Sequence, residues 1–289
     1  MNVILLFPGQ GSQKQGMGKD LAAAFPAARE TFQRIDDALG FALSSLCFEG
    51  PQEELTLTKN AQPALYAHGA AAWAAVRDML TNRVVAAAGH SLGELTAYHA
   101  AGSLQVGKGA HLVRKRGEIM FDAGSERAGT MAAILGHLST PIETLCEQAS
   151  REAGLVVPAN YNNDEQIVVS GEPAGVERVM ELAKAAGARR SLRLAVSGAF
   201  HSPLMEPAEI AFSGALSATE FADPEFPVYS NVTADACTTG NEARTLLLRQ
   251  LTSPVKWSTE VRAMAAAHPD SLYVELGPGR VLGALVSHL

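Results

Sequence analysis

A short apolar segment followed at once by a glycine-serine-glycine turn constrains the fold more than any other feature of the sequence. Residues 84–88 are valine and alanine, residues 89–93 read Gly-His-Ser-Leu-Gly, and a helical pattern follows. A serine on a sharp turn between strand and helix points outwards, and the flanking glycines remove side chains that would clash across the turn. Backbone amides at the helix N-terminus can also stabilise a developing oxyanion. Ser91 is therefore predicted to be a nucleophile; the alternative is a serine that only caps the helix.

The order of the remaining segments predicts two structural units. Short apolar runs alternate with helical patterns in the first half, which is typical of an α/β domain with a parallel sheet. Residues 129–196 follow the different order βαββαβ, which is the ferredoxin-like arrangement. After it the α/β pattern returns. We expect a large α/β-hydrolase-like domain with a parallel sheet at 1–124 and 198–289, interrupted by a small ferredoxin-like (βαββαβ) domain at 125–197.

The elements expected along the chain are strands at 3–7, 83–88, 130–135, 155–161, 166–170, 188–196, 228–230 and 272–275, and helices near 18–38, 61–80, 92–101, 107–122, 139–152, 173–186, 204–218, 241–251 and 258–267. Residues 63–76 are alanine-rich and include His68, so we interpret them as a buried helix and not as a membrane span.

The composition excludes several classes of protein. The chain has 23 Lys and Arg against 30 Asp and Glu, a formal charge of −7, which disfavours nucleic acids and anionic membranes as partners. Three cysteines far apart in sequence argue against a disulfide framework and a zinc site. The apolar run at 3–7 is stopped by Pro8-Gly9 and is too short for a signal peptide. We expect a cytoplasmic protein without a metal.

A serine nucleophile needs a base, and His201 is the favoured one. His90 is its chain neighbour, but adjacent side chains on a tight turn diverge, so we expect His90 to pack against the sheet. The other histidines fall in helical patterns or at surface and terminal positions. His201 lies in the loop 197–203, where the chain returns to the large domain. No acidic residue is well placed as a third member, and a backbone carbonyl is an alternative orienting group.

Arg116 suggests the substrate class. Its neighbours three and four residues away are Leu112, Val113, Ile119 and Met120, so it projects from the apolar face of its helix, whereas we expect Arg114 to be solvated. A buried arginine is either paired with an internal acid or available for an anion, and spacing alone leaves both open. With a pocket serine, it suggests an acyl group that ends in a free carboxylate.

Two glycine-rich turns complete the set of motifs. Residues 9–11, Gly-Gln-Gly, match neither G-x-G-x-x-G nor Walker A, yet they place the Gln10 amide at the carboxyl edge of the sheet beside the serine turn. Residues 277–279 form another turn at the end of a strand, which we interpret as structural.

Together these residues resemble the malonyl-CoA:acyl carrier protein transacylase family, which includes the acyltransferase domains of polyketide and fatty acid synthases. The resemblance covers essentially the whole chain and depends on segments in family order. These are 7–13 (FPGQGSQ), 89–94 (GHSLGE), Arg116, 129–133 (GTMAA), 198–201 (GAFH), 249–251 (RQL) and 275–279 (ELGPG).

The resemblance implies a role for each catalytic position. Ser91 matches the serine that is acylated, and His201 matches its base. Gln10 and the backbone N–H of Leu92 match the oxyanion hole. The main-chain carbonyl of Gln250 matches the group that orients the histidine.

The resemblance also implies how the substrate is held. Arg116 matches the arginine that binds the malonyl carboxylate. Asn160 and Asn162 match residues along the approach of the pantetheine arm. Phe200, together with Leu92, resembles the pairing of malonyl-selective members.

The implied activity is ping-pong transfer of malonyl from malonyl-CoA to the phosphopantetheine thiol of an acyl carrier protein, by a monomer without a cofactor of its own. Arg189 and Arg193 are candidates for docking the acidic carrier, although a solvated sheet face is the simpler interpretation. The alternatives are a hydrolase that edits acyl carrier proteins, a non-catalytic acyl-binding subunit, and the malonyltransferase subunit of a malonate decarboxylase. The fatty acid and polyketide pathways are not separated by the sequence.

Overall fold

The computed structural model describes residues 1–196 and 198–289. Its strands are β1 Val3–Phe7, β2 Val84–Gly89, β3 Thr130–Leu135, β4 Val156–Asn163, β5 Gln166–Gly171, β6 Arg190–Arg193, β7 Val228–Tyr229, β8 Ala236–Cys237 and β9 Leu272–Glu275. Its α-helices are α1 Lys19–Ala24, α2 Pro26–Leu39, α3 Leu43–Glu49, α4 Gln52–Thr56, α5 Thr58–Leu80, α6 Leu92–Ala100, α7 Val106–Glu126, α8 Ile142–Glu152, α9 Pro173–Ala185, α10 Glu206–Ala218, α11 Gly240–Arg249, α12 Trp257–Ala267 and α13 Val281–Val286.

The larger sheet confirms the α/β class with a parallel sheet. Its strand order is β8-β7-β2-β1-β9, and only the β7–β8 pair at one edge is antiparallel. All five residues of β1 are buried. Leu5 and Phe7 face the core formed with α5, α6 and α7, whereas Ile4 and Leu6 face α12 and α13. Because both faces are covered, the central strands are continuously apolar.

The second sheet contains four antiparallel strands in the order β4-β5-β3-β6. Its residues alternate between two cores, as side chains of a strand must. Ala132 and Ile134 pack with α8 and α9. Met131 and Ala133 belong to the main core, so the opposite face of this sheet packs into the core that also contains β1.

Several element boundaries differ from the expected ones. The helix expected at 18–38 is divided into α1 and α2, because Pro26 occupies the first position of a new helix, where its missing N–H costs nothing. The short elements α3, α4, β8 and α13 were not predicted. β6 covers Arg190–Arg193 and not 188–196. Ser197, the last residue of the proposed small domain, lies outside the described residues.

The expectation of a buried helix over 63–76 is confirmed. Those residues belong to α5, which is buried from Ala61 to Tyr66 and retains Pro63 inside it. Within residues 1–196 and 198–289, no helix combines the length and apolar character needed to cross a bilayer. The three cysteines are free and buried.

Candidate active site

Ser91 occupies a strained turn between β2 and α6. Its backbone φ of 52° and ψ of −108° are rare for a residue with a side chain. The turn is so tight that a Cβ at Gly89 would lie 1.9 Å from the carbonyl carbon of Gly93, and a Cβ at Gly93 would lie 2.0 Å from the carbonyl oxygen of Phe7. Both glycines are therefore required by close backbone approach, as the sequence pattern predicts.

Ser91 and His201 form a hydrogen-bonded dyad. The Ser91 Oγ lies 2.8 Å from His201 Nε2, and His201 Nδ1 lies 2.8 Å from the carbonyl oxygen of Gln250. Because a carbonyl can only accept, Nδ1 carries the proton and Nε2 is free to accept the serine proton. His201 also has a positive φ, 57°, so both members of the dyad are held in strained conformations.

The electrostatic surroundings keep His201 neutral. Burial, followed by the charge of Arg116, lowers the pKa of His201 to about 3. An uncharged imidazole at neutral pH is the form that can act as a base.

Arg116 is a buried cation beside the nucleophile. Only 1% of its surface is exposed. Its Nη2 donates to Ser91 Oγ at 3.2 Å and to Gln250 Oε1 at 2.9 Å, and its Nη1 donates to Gln62 Oε1 at 2.7 Å. Burial lowers its pKa to about 10, so it remains charged at neutral pH. Within the described residues it forms no ion pair, and its buried Nε has no hydrogen-bond partner.

A cleft of about 420 Å³ opens over the dyad. Its lining includes Gln10, Leu92 and the dyad, together with Asn160 of β4 and residues 194–196, which follow β6. Arg116 and Phe200 also line the cleft. The cleft therefore brings together most of the residues that the sequence singled out.

Two of the expected site residues have other partners. The Nε2 of Gln10 lies on the cleft but donates to Thr58 Oγ1 at 3.0 Å. Asn162 is buried and does not line the cleft. Its Oδ1 lies 2.8 Å from His90 Nε2, which links the second sheet to the serine turn. The His90 ring lies 5.7 Å from that of Trp257.

The other arginines differ in part from expectation. Arg114 is not simply solvated, because it donates to the Glu118 carboxylate, the Lys59 carbonyl and Asn60. Arg189 and Arg193 are exposed, and each is paired with a glutamate. This favours the interpretation of these two as a solvated sheet face.

Three buried polar residues behind the serine turn were missed by sequence reasoning. Glu94, Asn231 and Glu260 are all fully buried and hydrogen-bonded to one another or to the turn. Glu94 could have been noticed as an acid inside the serine motif. Asn231 and Glu260 lie in a loop and on a helix far along the chain, where no spacing marks them. In the part of the chain that the structure describes, no group of three or more metal-ligating side chains is clustered.

Comparison with other proteins agrees with this geometry. The chain matches the acyl transferase domain family over residues 4–287. The malonyl CoA-acyl carrier protein transacylase of Bacillus subtilis (strain 168) is 44% identical over 285 residues, which are 98% of this chain and 89% of that relative.

Solved structures are similarly close. The acyl-carrier-protein-S-malonyltransferase of Bartonella henselae superposes with a TM-score of 0.94 at 40% identity, covering all of this chain and 92% of that one. A malonyl-transacylase solved in complex with its type II PKS acyl-carrier protein gives a TM-score of 0.95 at 38% identity, covering all of this chain and 93% of that one. With a family match over nearly its whole length and relatives of this identity, the chain belongs to the acyl transferase domain family.

Proposed function

We propose that the protein transfers the malonyl group of malonyl-CoA to the phosphopantetheine thiol of an acyl carrier protein. The observation that carries this proposal is Arg116, a buried guanidinium 3.2 Å from the nucleophile and without an acidic partner at ion-pair distance among the described residues. Such a group is a receptor for a carboxylate, which binds its planar fork in bidentate fashion. An acyl group that ends in a carboxylate, as malonyl does, supplies the missing counterion.

The first half-reaction acylates Ser91. As the Oγ attacks the thioester carbonyl, its proton moves to His201 Nε2, and the Gln250 carbonyl holds Nδ1–H of the resulting imidazolium. The C–S bond then breaks, and the imidazolium returns the proton to the CoA sulfur. The products are malonyl-Ser91 and free CoA.

The second half-reaction reverses these steps with the carrier thiol. His201 takes the thiol proton, the sulfur attacks the malonyl ester, and the Ser91 oxygen leaves with the proton. Two donors support the oxyanion in both steps: the Leu92 amide at the start of α6, and Gln10 Nε2, which carries a second hydrogen beside the one given to Thr58.

The pantetheine arm would enter along the second sheet. Asn160 lines the cleft. Asn162 would affect the arm indirectly, through its hydrogen bond to His90, which also lines the cleft. Phe200 faces the same space, where its ring would crowd an α-methyl branch.

We also propose the domain division expected above: a ferredoxin-like small domain at 125–197 and a discontinuous large domain at 1–124 and 198–289. The strand order β4-β5-β3-β6 with α8 and α9 on one face supports it. A monomeric state, a cytoplasmic location and the lack of a resident cofactor stay predictions from the sequence.

Incubation with malonyl-CoA followed by intact-mass measurement tests the proposed function. We expect one malonyl adduct on Ser91, its loss on addition of a holo carrier protein, and no adduct with Ser91→Ala. A protein that never forms the adduct, or that releases free malonate as fast as it transfers malonyl, would contradict the proposal; the second result would identify an editing hydrolase.

A further inference from the structure

A polar network lies behind the serine turn, on the side away from the cleft. Its members, Glu94, Asn231, Gln250 and Glu260, are all fully buried. Glu94, Asn231 and Glu260 are absent from the cleft walls, so substrate does not reach them. Burying polar groups in such a position costs free energy unless they are hydrogen-bonded, so their contacts with the serine turn decide their role.

The side chain of Asn231 forms two hydrogen bonds with the backbone of the serine turn. Its Oδ1 accepts the backbone N–H of Ser91 at 2.7 Å, and its Nδ2 donates to the carbonyl of Gly89 at 2.8 Å. One side chain thus spans the residues on both sides of His90. These two contacts hold the backbone just where Ser91 has its positive φ of 52°.

Asn231 is itself held from three directions. Its backbone N–H donates to Glu94 Oε2 at 3.1 Å, and its carbonyl accepts the Lys256 N–H at 3.0 Å. Its Nδ2 also donates to the two carboxyl oxygens of Glu260, at 3.1 and 3.0 Å. The orientation of the amide, with oxygen towards Ser91 and nitrogen towards Gly89, follows from these partners.

The surroundings of Glu260 favour the neutral form of its carboxyl group. Burial, followed by the nearby Glu94, raises the pKa of Glu260 well above its ordinary value. A protonated carboxyl keeps an oxygen that can accept from Asn231 without placing an unpaired charge in the core. A glutamine could therefore replace it.

We propose that Asn231 is a positioning residue for acyl transfer, oriented by Glu260, and that it keeps the Ser91 Oγ directed at His201 Nε2. This rests on the proposed function, since the reaction positioned is the acylation of Ser91. Without the side chain of Asn231, Ser91 N–H and Gly89 C=O lose their partner and the strained turn can relax away from the base.

The first test compares Asn231→Ala with the wild type. We expect kcat for malonyl transfer to fall on the order of 10²-fold, as for a small displacement of a reacting group, with KM for malonyl-CoA nearly unchanged. Asn163→Ala is a matched control, because Asn163 is also buried and its side chain, among the residues that the structure describes, accepts from Glu165 N–H beside the second sheet and not from the serine turn. Active sites are counted with a fluorophosphonate, so that misfolded protein does not enter kcat.

The second test does not depend on Asn231→Ala folding. Glu260→Gln keeps an acceptor and should retain kcat, whereas Glu260→Met, of similar size, leaves Asn231 unoriented and should lower kcat with KM maintained. Equal kcat values for these two variants would overturn the role of Glu260. An unchanged kcat in folded Asn231→Ala would overturn the role of Asn231.

The rate at which a fluorophosphonate labels Ser91 separates this inference from the proposed function. Labelling needs the positioned dyad but no malonyl-CoA, so it should be slowed in Asn231→Ala and Glu260→Met even if the wild type proves to use another acyl donor. Wild-type labelling without a malonyl adduct would contradict the proposed function alone. Identical labelling rates in all variants would contradict the positioning role alone.

Discussion

Arg116 is a cation that the fold removes from water, and no carboxylate among the described residues lies at ion-pair distance from it, although the buried Glu94 partly opposes the lowering of its pKa. Its partners are the amide oxygens of Gln62 and Gln250 and the hydroxyl of Ser91, all of them neutral. Burying a charge in this way costs several kcal/mol, and neutral partners offset only part of that cost. An anionic acyl group that binds beside Arg116 would therefore offset the remaining cost of burying its charge.

Replacing Arg116 by alanine should change the acyl preference. We expect kcat/KM for malonyl-CoA to fall by the equivalent of about 2–5 kcal/mol, because the substrate carboxylate would be buried without its partner. Activity with an uncharged donor such as acetyl-CoA should change much less. Rates with both donors measure this.

Arg114→Ala is the matched control, since Arg114 lies on the same helix but bonds to Glu118 and Asn60 outside the cleft. Equal losses with the two donors in Arg116→Ala would show that the arginine has only a structural role.

The pH dependence of acylation should reflect the lowered pKa of His201. The base must be neutral. Because its pKa is lowered to about 3, His201 stays neutral at pH values well below 6.5, the ordinary pKa of histidine. We therefore expect kcat/KM for malonyl-CoA to stay nearly constant from pH 8 to pH 5.5, measured over times at which the protein remains folded. An acidic limb with its midpoint near 6.5 would show that the histidine is not desolvated as described.

At this scale, local chain patterns predict some site residues and not others. Ser91 is marked by its glycines and by a preceding strand, and Arg116 by apolar neighbours one helical turn away on each side. Asn231 has no such mark, because its importance comes from a loop that β7 brings beside β2. Likewise the pairing of Asn162 with His90 depends on the packing of the two sheets, which no local pattern encodes.

Among the elements, the β2–α6 turn is the least tolerant of added volume. A Cβ at Gly93 would lie 2.0 Å from the Phe7 carbonyl oxygen, which is part of the sheet and cannot move away. By contrast, Gly214 in α10 is exposed, and apart from α10 itself no atom of residues 1–196 or 198–289 lies within 4 Å of its Cβ position.

The same substitution should therefore have opposite effects at these two glycines. Gly214→Ala should stabilise the protein by about 0.4–1 kcal/mol, because alanine reduces the freedom of the unfolded chain. Gly93→Ala should destabilise it by roughly 1–3 kcal/mol or more through overpacking, and should slow labelling of Ser91. Urea unfolding of both variants measures the difference. A Gly93→Ala protein as stable and reactive as the wild type would contradict the close approach of α6 to β1.

Apolar runs predict short strands better than helical periodicity predicts short helices. The strands at 130–135 and 272–275 were expected with the bounds observed, since each is a clear apolar run between turn residues. α4 and α13 have five and six residues, too few for a helical repeat to stand out. β8 has two residues and forms only because Val228 and Tyr229 already lie opposite it.

For the molecule as a whole, burial of histidines sets the response to acid. Burial lowers the pKa values of His68, His90, His99 and His201. Their neutral forms stabilise the fold above pH 6.5, and this stabilisation is lost as the pH falls towards their folded-state pKa values. Glu94, with a pKa raised to about 7, and Glu260 act in the opposite sense, because they hold protons that the unfolded chain releases above 4.5.

Between pH 5 and 6 the unfolded chain should thus hold protons on these histidines that the folded chain lacks, and the two glutamates offset part of this difference. The free energy of unfolding should then rise with pH in this range, by about 1.4 kcal/mol per pH unit for each net proton. Urea unfolding at several pH values measures the slope. His68 is remote from the cleft, and His68→Gln should reduce the difference in bound protons between the unfolded and folded chains by about one. A slope near zero would contradict the buried, neutral histidines.

The strand order of the larger sheet also governs when the protein becomes reactive during its synthesis. β1 is synthesised before the other strands described here, yet one of its two neighbours in the sheet is β9, and β2 can pair with β7 only after that strand has been made. Ser91 receives its base, the carbonyl that orients that base and the Asn231 clamp from residues 201–250. A nascent chain that has exposed only the serine motif therefore carries an unactivated alcohol. The nucleophile therefore becomes reactive only when residues 201–250 have packed against the serine turn.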